Sequence, residues 1–385
     1  MTNDRPVIVH LIAEFSSHEA MGRTVTETAH RVPGAHHLVT TRAKDSHAAF
    51  VSVDELGGSV ATFPLGRSGA LGTVLDRIRP DVVHVHAGAL GPLQATLSVL
   101  RHRRMVLTVY AWPTWPGPST WRRASFAELR SSNVLAPRVA MTTILPPPLA
   151  AAAVRRAGIA TVLTPDPRVT ARLGDRAGIR VVRLPSGAPI DDRRASFTAS
   201  KPVIVFAGRA ETVRGLDTLL AAFPLVREHV PGARLRLLLI PRPELPAIIE
   251  RARNAGCASA IEVVTEPVAD LLGEFAAAQV GTWPFKFDYT TSPPAMAVAE
   301  AMGVGLPVVA TDVACVRAVL DPGVNGLVVP PADPRALAAG LARLLVDEVL
   351  WHRYARAGLR SVRDRLGWDR AAEATAEAYT TALAS

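Results

Sequence analysis

Apolar runs of four to seven residues recur along the chain and are separated by polar stretches rich in glycine and proline. Short apolar runs bounded by turn-forming residues are typical of strands buried in parallel sheets. Helical stretches alternate with these runs, which predicts βαβ units and an α/β fold. The predicted strands occupy residues 7–13, 81–86, 105–109, 160–165, 203–206, 235–240, 261–264, 280–283 and 308–310. The predicted helices begin near residue 23 and occupy residues 71–78, 92–102, 150–157, 169–177, 215–229, 295–302 and 371–384.

The stretch TSPPAMAVAEAMGVGLPVVAT, residues 291–311, reads as a loop, a short helix, a turn and a buried strand. Two prolines suit the helix entrance, and Gly303 and Gly305 suit its end. One carboxylate, Glu300, lies within this apolar helix. Such an acid is either a solvated face residue or a ligand group aimed into a cleft, and spacing alone favours the solvated interpretation.

The chain has 385 residues, 49% of them hydrophobic and 20% charged, which predicts a globular protein with two domains. Residues 1–200 hold 24 of the 43 basic and 14 of the 34 acidic residues, so the first half carries +10 and the second −1. A basic surplus suits nucleic acid, an anionic membrane surface or an acidic small molecule. No basic motif interleaved with aromatics is seen, so nucleic acid is not predicted, whereas contact with a membrane surface stays open.

Cys257 and Cys315 are far apart and form no metal-binding spacing, which fits a reducing cytoplasm. The first apolar run, VIVHLIA, is short for a signal peptide, and an acid precedes it. No stretch approaches the ~20 apolar residues of a membrane-spanning helix. We therefore expect a cytoplasmic protein, with peripheral contact at the inner membrane face as an open alternative.

The segment AEAMGVGLPVVAT resembles the donor-site signature of family-4 glycosyltransferases, retaining enzymes built from two Rossmann-like domains in the GT-B architecture. The resemblance implies that Glu300 holds the ribose hydroxyls of a nucleotide-sugar. It also implies that the backbone amides of Ala295, Met296 and Ala297 face the diphosphate at a helix N-terminus. Ser292 stands where the family has a Glu that contacts the transferred sugar, so that contact is altered here.

Further donor contacts implied by the resemblance lie at the start of the second half. The segment VIVFAGRAETVRG places Gly208 and Arg209 at a strand end, and Arg214 replaces the family's Lys with the charge kept. In the family this pair of cations stabilises the donor diphosphate as the glycosidic bond breaks. Val264 lies where the family's backbone meets the nucleobase. Without the resemblance, two arginines at a helix start are unremarkable surface residues.

The first half matches the family less closely. The loop after the first strand keeps Gly22 and the following arginine, but Glu19 and an alanine replace the family's Gly-Gly pair. A carboxylate facing a diphosphate repels it, so either Glu19 points away or the site differs. Tyr110 occupies the position of a His near the transferred sugar; it either hydrogen-bonds a sugar hydroxyl or fills the cleft floor, and it is a poor base near neutral pH.

Two further groups in the first half invite a functional interpretation. His84 and His86 alternate along a predicted strand, and packing or cleft lining is favoured over a metal role because no third ligand is nearby in sequence. Three tryptophans lie in a proline-rich loop at positions 112, 115 and 121. We expect them to line an acceptor site, with filling of a hydrophobic gap as the alternative.

The resemblance predicts an acceptor-side Rossmann-like domain at 1–187, a linker at 188–201, a nucleotide-sugar domain at 202–367 and a C-terminal helix at 368–385 that crosses back to the first domain. It implies a retaining transfer from a nucleotide-diphosphate-sugar to a small-molecule, glycan or lipid-linked hydroxyl acceptor, with no metal and no cofactor. Because the Gly-Gly pair, the His and the first Glu are all replaced, an inactive or partner-dependent donor-binding subunit stays open. A sugar-nucleotide epimerase on the same fold is a weaker third hypothesis.

Overall fold

The computed structural model describes residues 5–17, 19–45, 48–60, 63–88, 90–112, 124–125, 128–129, 146–174, 178–198, 200, 202–288 and 294–384. The chain divides into two units. The first contains Met1–Thr114, Pro137–Gly187 and Trp368–Ser385, and the second contains Trp115–Ala136 and Ala188–Gly367. Among the described residues, no helix combines the length and the apolar character needed to cross a bilayer.

Each unit contains one larger sheet in which every neighbouring pair of strands is parallel. The strands of the first unit are β1 (Val7–Ile12), β2 (Glu14–Phe15), β3 (Ala35–Thr40), β4 (Arg42–Ala43), β5 (Ser52–Glu55), β6 (Val82–Ala87), β7 (Met105–Val109), β8 (Thr161–Thr164) and β9 (Arg180–Arg183). The strands of the second unit are β10 (Val203–Arg209), β11 (Arg234–Ile240), β12 (Ile261–Val264), β13 (Val280–Trp283), β14 (Val308–Thr311) and β15 (Leu327–Val329).

The strand orders define where each sheet is expected to bind ligands. The first sheet runs β5-β3-β1-β6-β7-β8-β9, and β2 pairs separately with β4. The second runs β12-β11-β10-β13-β14-β15. The order therefore reverses between β1 and β6 in one unit and between β10 and β13 in the other. Doubly wound sheets bind ligands in the crevice at the carboxyl ends of the strands that flank such a reversal.

Helices connect the strands, as the alternating pattern predicts. They are α1 (Ala20–Arg31), α2 (Ser68–Ile78), α3 (Gly91–Gln94), α4 (Pro147–Arg156), α5 (Pro167–Leu173), α6 (Leu216–His229), α7 (Leu245–Arg253), α8 (Leu271–Ala276), α9 (Met296–Gly303), α10 (Ala314–Arg317), α11 (Pro334–Val346), α12 (Glu348–Ser361) and α13 (Trp368–Ala384). The helix predicted over 92–102 is wrong beyond Gln94. Leu97 has extended backbone, and the Thr96 hydroxyl donates to the Leu93 carbonyl, a local bond that competes with helix continuation.

The two faces of the first sheet differ in polarity. On one face Val9, Val83 and Leu107 pack in an apolar cluster with side chains of α2 and α4. On the other face the strand register places His10 beside His84, and α1 and α13 pack together over this side. Buried imidazoles need hydrogen-bond partners, so this polar face has to be satisfied internally.

Two buried tryptophans form hydrogen bonds between different elements in the core of the second unit. The Trp283 indole N–H on β13 donates to the Ala207 carbonyl on β10 over 3.0 Å, so the two strands that flank the reversal are joined by a side chain as well as by the sheet. The Trp351 indole N–H on α12 donates to the Gln279 carbonyl over 2.7 Å. Both tryptophans are at most 2% exposed, so loss of either bond leaves a buried carbonyl with one partner fewer.

Steric constraints at the start of α6 require glycine at position 215. Its φ is +77°, and a Cβ added there lies 1.7 Å from the Pro284 carbonyl oxygen. We expect Gly215→Ala to lower the free energy of unfolding by about 2–5 kcal/mol, the sum of left-handed strain and overpacking. Gly323→Ala is the matched control, because φ is +73° and nothing lies within 4 Å of its Cβ position. It should cost only about 1–2 kcal/mol. Equal losses in urea unfolding would contradict the packing argument.

Candidate functional site

The carboxyl edge of the second sheet brings several predicted site residues to the reversal between β10 and β13. Gly208 and Arg209 end β10, and the helical turn Thr212–Arg214 leads into α6. The segment after β13 is held against this turn, because the Lys286 N–H donates to the Val213 carbonyl over 3.1 Å. The loops after both flanking strands therefore form one wall of the crevice.

Two arginines in this wall differ in their surroundings. Arg209 is exposed and forms no ion pair with any residue of the described ranges. The side chain of Arg214 is 14% exposed, its Nε donates to a Glu211 carboxylate oxygen over 3.2 Å, and its guanidinium lies 5.4 Å from the centre of the Phe285 ring. Burial lowers the pKa of Arg214, and the neighbouring Arg209 adds to this effect. The Arg214 guanidinium is therefore held in position by Glu211 and Phe285, whereas the exposed Arg209 guanidinium is accessible to a ligand.

Lys286 supplies a third cation at this edge, held between two carboxylates. Its Nζ donates to Asp217 Oδ2 over 3.0 Å and to Glu128, and its side chain is 12% exposed. Burial alone would lower the pKa of Lys286, but the two carboxylates outweigh it and raise the pKa. Glu128 lies 158 residues from Lys286 and Asp217 lies 69 residues from it, so sequence spacing does not reveal this pairing.

The N-terminus of α9 presents backbone amides to the same edge. The Ala295 N–H donates to the Cys315 carbonyl over 3.0 Å, so it is engaged within the protein, contrary to its predicted role toward a diphosphate. The N–H groups of Met296 and Ala297 find no acceptor among the described residues. Together with the partial positive charge of a helix N-terminus, these two amides suit an anion.

Glu300 lies one turn further along α9 and is 2% exposed. The solvated interpretation that spacing favoured is therefore wrong, because this face of α9 packs into the unit. A buried carboxylate accepts hydrogen bonds from hydroxyl or N–H donors. Two arginines, two helix N-terminal amides with no acceptor among the described residues, and a buried carboxylate form a set that suits a phosphate-bearing ligand with hydroxyl groups.

The remaining residues predicted to contact a donor lie at the periphery of this set or outside it. A Cβ on Gly208 would lie 3.1 Å from the Phe206 ring, so a glycine fits this strand end best. Val264 is the last residue of β12 and is half-buried, and two strands, β11 and β10, separate it from β13 in the sheet. Ser292 lies outside the described residues.

The structure accounts for both Gly22 and Glu19 in the loop and helix that follow β1. A Cβ on Gly22 would lie 2.0 Å from the Ser16 carbonyl oxygen, so this glycine allows the loop to pack against α1. Glu19 points to Lys44, whose Nζ lies 3.1 Å from its carboxylate, and Lys44 also contacts Glu14. The Glu19 carboxylate is thus paired with a lysine of the same unit, an arrangement that fits the interpretation in which Glu19 points away from a diphosphate.

Tyr110 lies at the carboxyl edge of the first sheet, immediately after β7. It is half-buried, its N–H donates to the Ala87 carbonyl over 2.9 Å, and its hydroxyl lies 3.0 Å from Nδ1 of His86. Burial raises the pKa of the Tyr110 hydroxyl, so still less of the phenolate that could act as a base is present near neutral pH. Trp112, two residues on, is fully buried, so it fills the core rather than lining an acceptor site. The other two tryptophans of that loop lie outside the described residues.

His10, His84 and His86 form the one group in the described ranges with the spacing of three metal ligands, their nitrogens lying within 4.8 Å of one another. The sequence missed His10, which precedes the other two by more than seventy residues. Nδ1 of His10 lies 3.0 Å from Nε2 of His86, and both nitrogens of His84 contact hydroxyl groups. A metal between two nitrogens about 2.0–2.1 Å from each needs more room than this direct contact leaves. The imidazoles fit mutual hydrogen bonding better than metal binding.

A separate concavity of about 850 Å³ lies at the opposite, amino edge of the first sheet. Its lining includes Arg101, Arg103, Arg104 and Arg156, together with small apolar side chains of α13. Arg103 is tied to Asp76, whereas the other three arginines are exposed. Part of the basic surplus of the first half is thus concentrated in one surface.

Comparison with known proteins finds a family match in the second half of the chain. Residues 201–347 match the family described as Glycosyl transferases group 1. A D-inositol 3-phosphate glycosyltransferase of Xylanimonas cellulosilytica is 33% identical over 49% of this chain and 44% of its own length. A phosphatidyl-myo-inositol mannosyltransferase of Mycobacterium leprae is 30% identical over 54% of this chain and 55% of its own length. The chain spans about half the length of these curated relatives.

Solved structures resemble nearly the whole chain. Sucrose-phosphate synthase from Thermosynechococcus elongatus superposes with a TM-score of 0.73 at 18% identity, covering 99% of this chain and 100% of its own. Anabaena HepE, solved in complex with UDP and glucose, gives a TM-score of 0.72 at 15% identity, covering 98% of this chain and 100% of its own. At these identities the similarity establishes the fold.

Proposed function

We propose that this chain, which has the GT-B fold and carries a glycosyl transferases group 1 region in its second unit, transfers a sugar from a nucleotide-diphosphate-sugar to a hydroxyl acceptor. The observation that carries the proposal is the clustering of Arg209, Arg214 and the open α9 amides at the strand reversal. Relatives with the names of transferases support an active enzyme over an inactive donor-binding subunit.

Each residue of the set has a distinct role in the proposal. Arg209 and Arg214 bind the donor diphosphate, and the Met296 and Ala297 amides contact one of its phosphates. The buried Glu300 carboxylate accepts hydrogen bonds from the ribose hydroxyls. These contacts place the leaving group against fixed positive charge, which stabilises it most when the sugar–phosphate bond breaks.

We propose further that transfer retains the anomeric configuration and needs no metal. The bond between the anomeric carbon and the diphosphate oxygen breaks, and the acceptor oxygen bonds to the same face of that carbon. The acceptor proton passes to the departing phosphate oxygen, so no protein base is required. Two guanidinium groups supply the charge that a divalent cation would otherwise provide at the diphosphate.

Binding of nucleoside diphosphates tests the donor site directly. We expect one of UDP, GDP, ADP and TDP to raise the melting temperature in the presence of EDTA. At a hundredfold excess over Kd the stabilisation is about 2.7 kcal/mol. UDP is the first choice because HepE was solved with it. No shift with any of the four, or an undiminished shift after Arg209 and Arg214 are both changed to alanine, would contradict the assignment.

The acceptor is proposed to be a sugar phosphate, a glycan or a lipid-linked hydroxyl, in line with the inositol-phosphate and phosphatidylinositol acceptors in the relatives' names. For a lipid-borne acceptor, the arginine-lined concavity of the first unit is the surface proposed to meet an anionic bilayer. Exchanging Arg101 and Arg104 for Glu should abolish co-sedimentation with phosphatidylglycerol vesicles at low salt. Equal sedimentation of both proteins, or none of the wild type, would refute the membrane contact.

A further inference from the structure

Arginine side chains line the concavity at the amino edge of the first sheet, outside the proposed donor site. The lining comes from the segments that lead into β6, β7 and β8, from the end of α3 and from α13. The volume of about 850 Å³ falls within the roughly 300–1,000 Å³ of small-molecule sites. This space, here called the arginine concavity, is therefore large enough for an organic molecule rather than for a single ion.

Three arginines of the lining carry charge that no described residue neutralises. Arg101, Arg104 and Arg156 are exposed and form no ion pair within the described ranges. Arg103 is paired with an acid of α2 and adds no open charge. Asp81 is the only carboxylate among the described lining residues, and one of its oxygens accepts a backbone N–H of β1 over 2.8 Å. Three open cations against one carboxylate suit a ligand with at least two negative charges.

The open arginines lie on two separate elements. Arg101 and Arg104 belong to the turn that precedes β7, whereas Arg156 is in the last turn of α4. A guanidinium group binds a phosphate through parallel hydrogen bonds of fixed geometry, which favours arginine wherever phosphoryl groups are recognised. Two arginine-bearing elements around one concavity therefore suit one molecule with two phosphoryl groups.

Much of the remaining lining is small and apolar. Ala378 and Ala382 are buried and lie four residues apart on α13, which places them on one face of the helix. Ala157 and Ala160 line the concavity between α4 and β8. The described lining residues include no Phe, Tyr or Trp, so they offer no such ring for a nucleobase to stack on. The uncharged part of the ligand is therefore expected to be a compact, non-aromatic carbon skeleton.

The arginine concavity is separate from the edge at which this sheet is expected to bind ligands. Doubly wound sheets bind them at the carboxyl ends of the strands, whereas β6, β7 and β8 meet the concavity with their amino ends. β7 has five residues, so its two ends are roughly 13 Å apart at about 3.3 Å per residue. A ligand in the concavity therefore leaves the carboxyl edge of the sheet free.

We propose that the arginine concavity is a second binding site, for a small molecule or a lipid headgroup that carries two phosphoryl groups on a non-aromatic carbon skeleton. Arg101 and Arg104 bind one phosphoryl group, Arg156 binds the other, and the skeleton packs against α13. This site goes beyond the proposed sugar transfer. Its occupation does not require that the protein consumes a nucleotide-sugar, so each proposal can fail without the other.

Calorimetric titration of the full-length protein with fructose 1,6-bisphosphate tests the site with a soluble probe. Fructose 6-phosphate, which has one phosphoryl group, is the comparison at equal ionic strength. We expect the bisphosphate to bind at least about tenfold more tightly, because its second phosphoryl group adds charge-assisted hydrogen bonds. Equal affinity for the two sugar phosphates would overturn the proposal.

Arg155 and Arg156 provide a matched pair of variants. Both are exposed and lie in the last turn of α4, but only Arg156 lines the concavity. Arg156→Ala should weaken binding of the bisphosphate at least about tenfold, and Arg155→Ala should leave it within about twofold. Arg209→Ala should also keep the affinity, because Arg209 belongs to the proposed donor site. Equal effects of the Arg155 and Arg156 changes, or a loss of binding in Arg209→Ala, would overturn the assignment.

Vesicles distinguish a lipid headgroup from a soluble ligand. Phosphatidylcholine vesicles that contain phosphatidylinositol 4-phosphate present two phosphoryl groups on an inositol ring at a bilayer. Co-sedimentation that is lost in Arg156→Ala and kept in Arg155→Ala would identify a lipid headgroup as a ligand of the concavity. Binding of fructose 1,6-bisphosphate without co-sedimentation would identify a soluble ligand. If wild type binds neither the bisphosphate nor the vesicles, or if both variants sediment equally, the proposal is wrong.

Discussion

Arg209→Ala is expected to lower kcat about 10²–10³-fold, the usual effect of removing one preorganised donor to a developing negative charge. Arg209 is the open cation of the site, because it is exposed at the end of β10 and unpaired among the described residues. Its interaction with the diphosphate grows as the leaving group gains charge. Affinity for the free nucleoside diphosphate should also fall, by about 10- to 150-fold for a charge-assisted hydrogen bond.

Arg234→Ala is the matched control for this change. Arg234 is an exposed arginine in the same sheet, but it begins β11 at the opposite edge. Its removal alters the charge of the unit equally and should leave kcat and nucleotide affinity within about twofold. Full activity of Arg209→Ala, or equal losses in the two variants, would contradict a diphosphate contact at β10.

Glu300→Ala is expected to erase discrimination between a nucleoside diphosphate and its 2′,3′-dideoxy analogue. In wild type the ribose hydroxyls donate to a carboxylate that is 2% exposed, so their loss should weaken binding about 10- to 100-fold. In the variant the acceptor is gone and both ligands should bind with similar, weak affinity. Calorimetric titration of both ligands into both proteins gives the coupling between Glu300 and the hydroxyls.

Glu250→Ala is the corresponding control, because Glu250 is exposed on α7. It should keep the full preference for the ribonucleotide. Melting curves of both variants separate a binding defect from a folding defect. If Glu300→Ala folds normally and still prefers the ribonucleotide as strongly as wild type, the carboxylate does not contact the ribose.

The fold was predictable where burial leaves a clear pattern. β7 and β13 have the predicted bounds, because strands covered on both faces read as short apolar runs. β3 was not predicted, since its sequence AHHLVT carries two adjacent histidines that obscure the apolar signal. The histidine face of the first sheet hides the strand from a pattern based on hydrophobicity, while hydrogen bonds satisfy it in the folded chain.

Only the residues of the candidate site that belong to the family motif could be predicted from the sequence. Arg209, Arg214 and Glu300 stand out through their resemblance to a family pattern, and the structure adds their exposure, partners and burial. Two features of the structure join residues that are far apart in sequence, so spacing could not predict them. One is the pairing of Lys286 with Glu128, and the other is the hydrogen bonding among the imidazoles of His10, His36 and His86. At Ala295 the motif predicted a contact that the structure does not allow. The backbone N–H of Ala295 donates to the Cys315 carbonyl, so it is not available to a phosphate.

The most direct test of the central claim is consumption of a donor. Wild type and Arg209→Ala are incubated with UDP-, GDP-, ADP- and TDP-sugars in EDTA, with and without hydroxyl acceptors that include sugar phosphates, and the products are identified by mass. The account predicts that wild type converts one donor to its nucleoside diphosphate with the sugar on an acceptor, and that Arg209→Ala does so at least about 10²-fold more slowly. Binding of a nucleoside diphosphate without consumption of any donor would contradict the account and identify a donor-binding subunit instead.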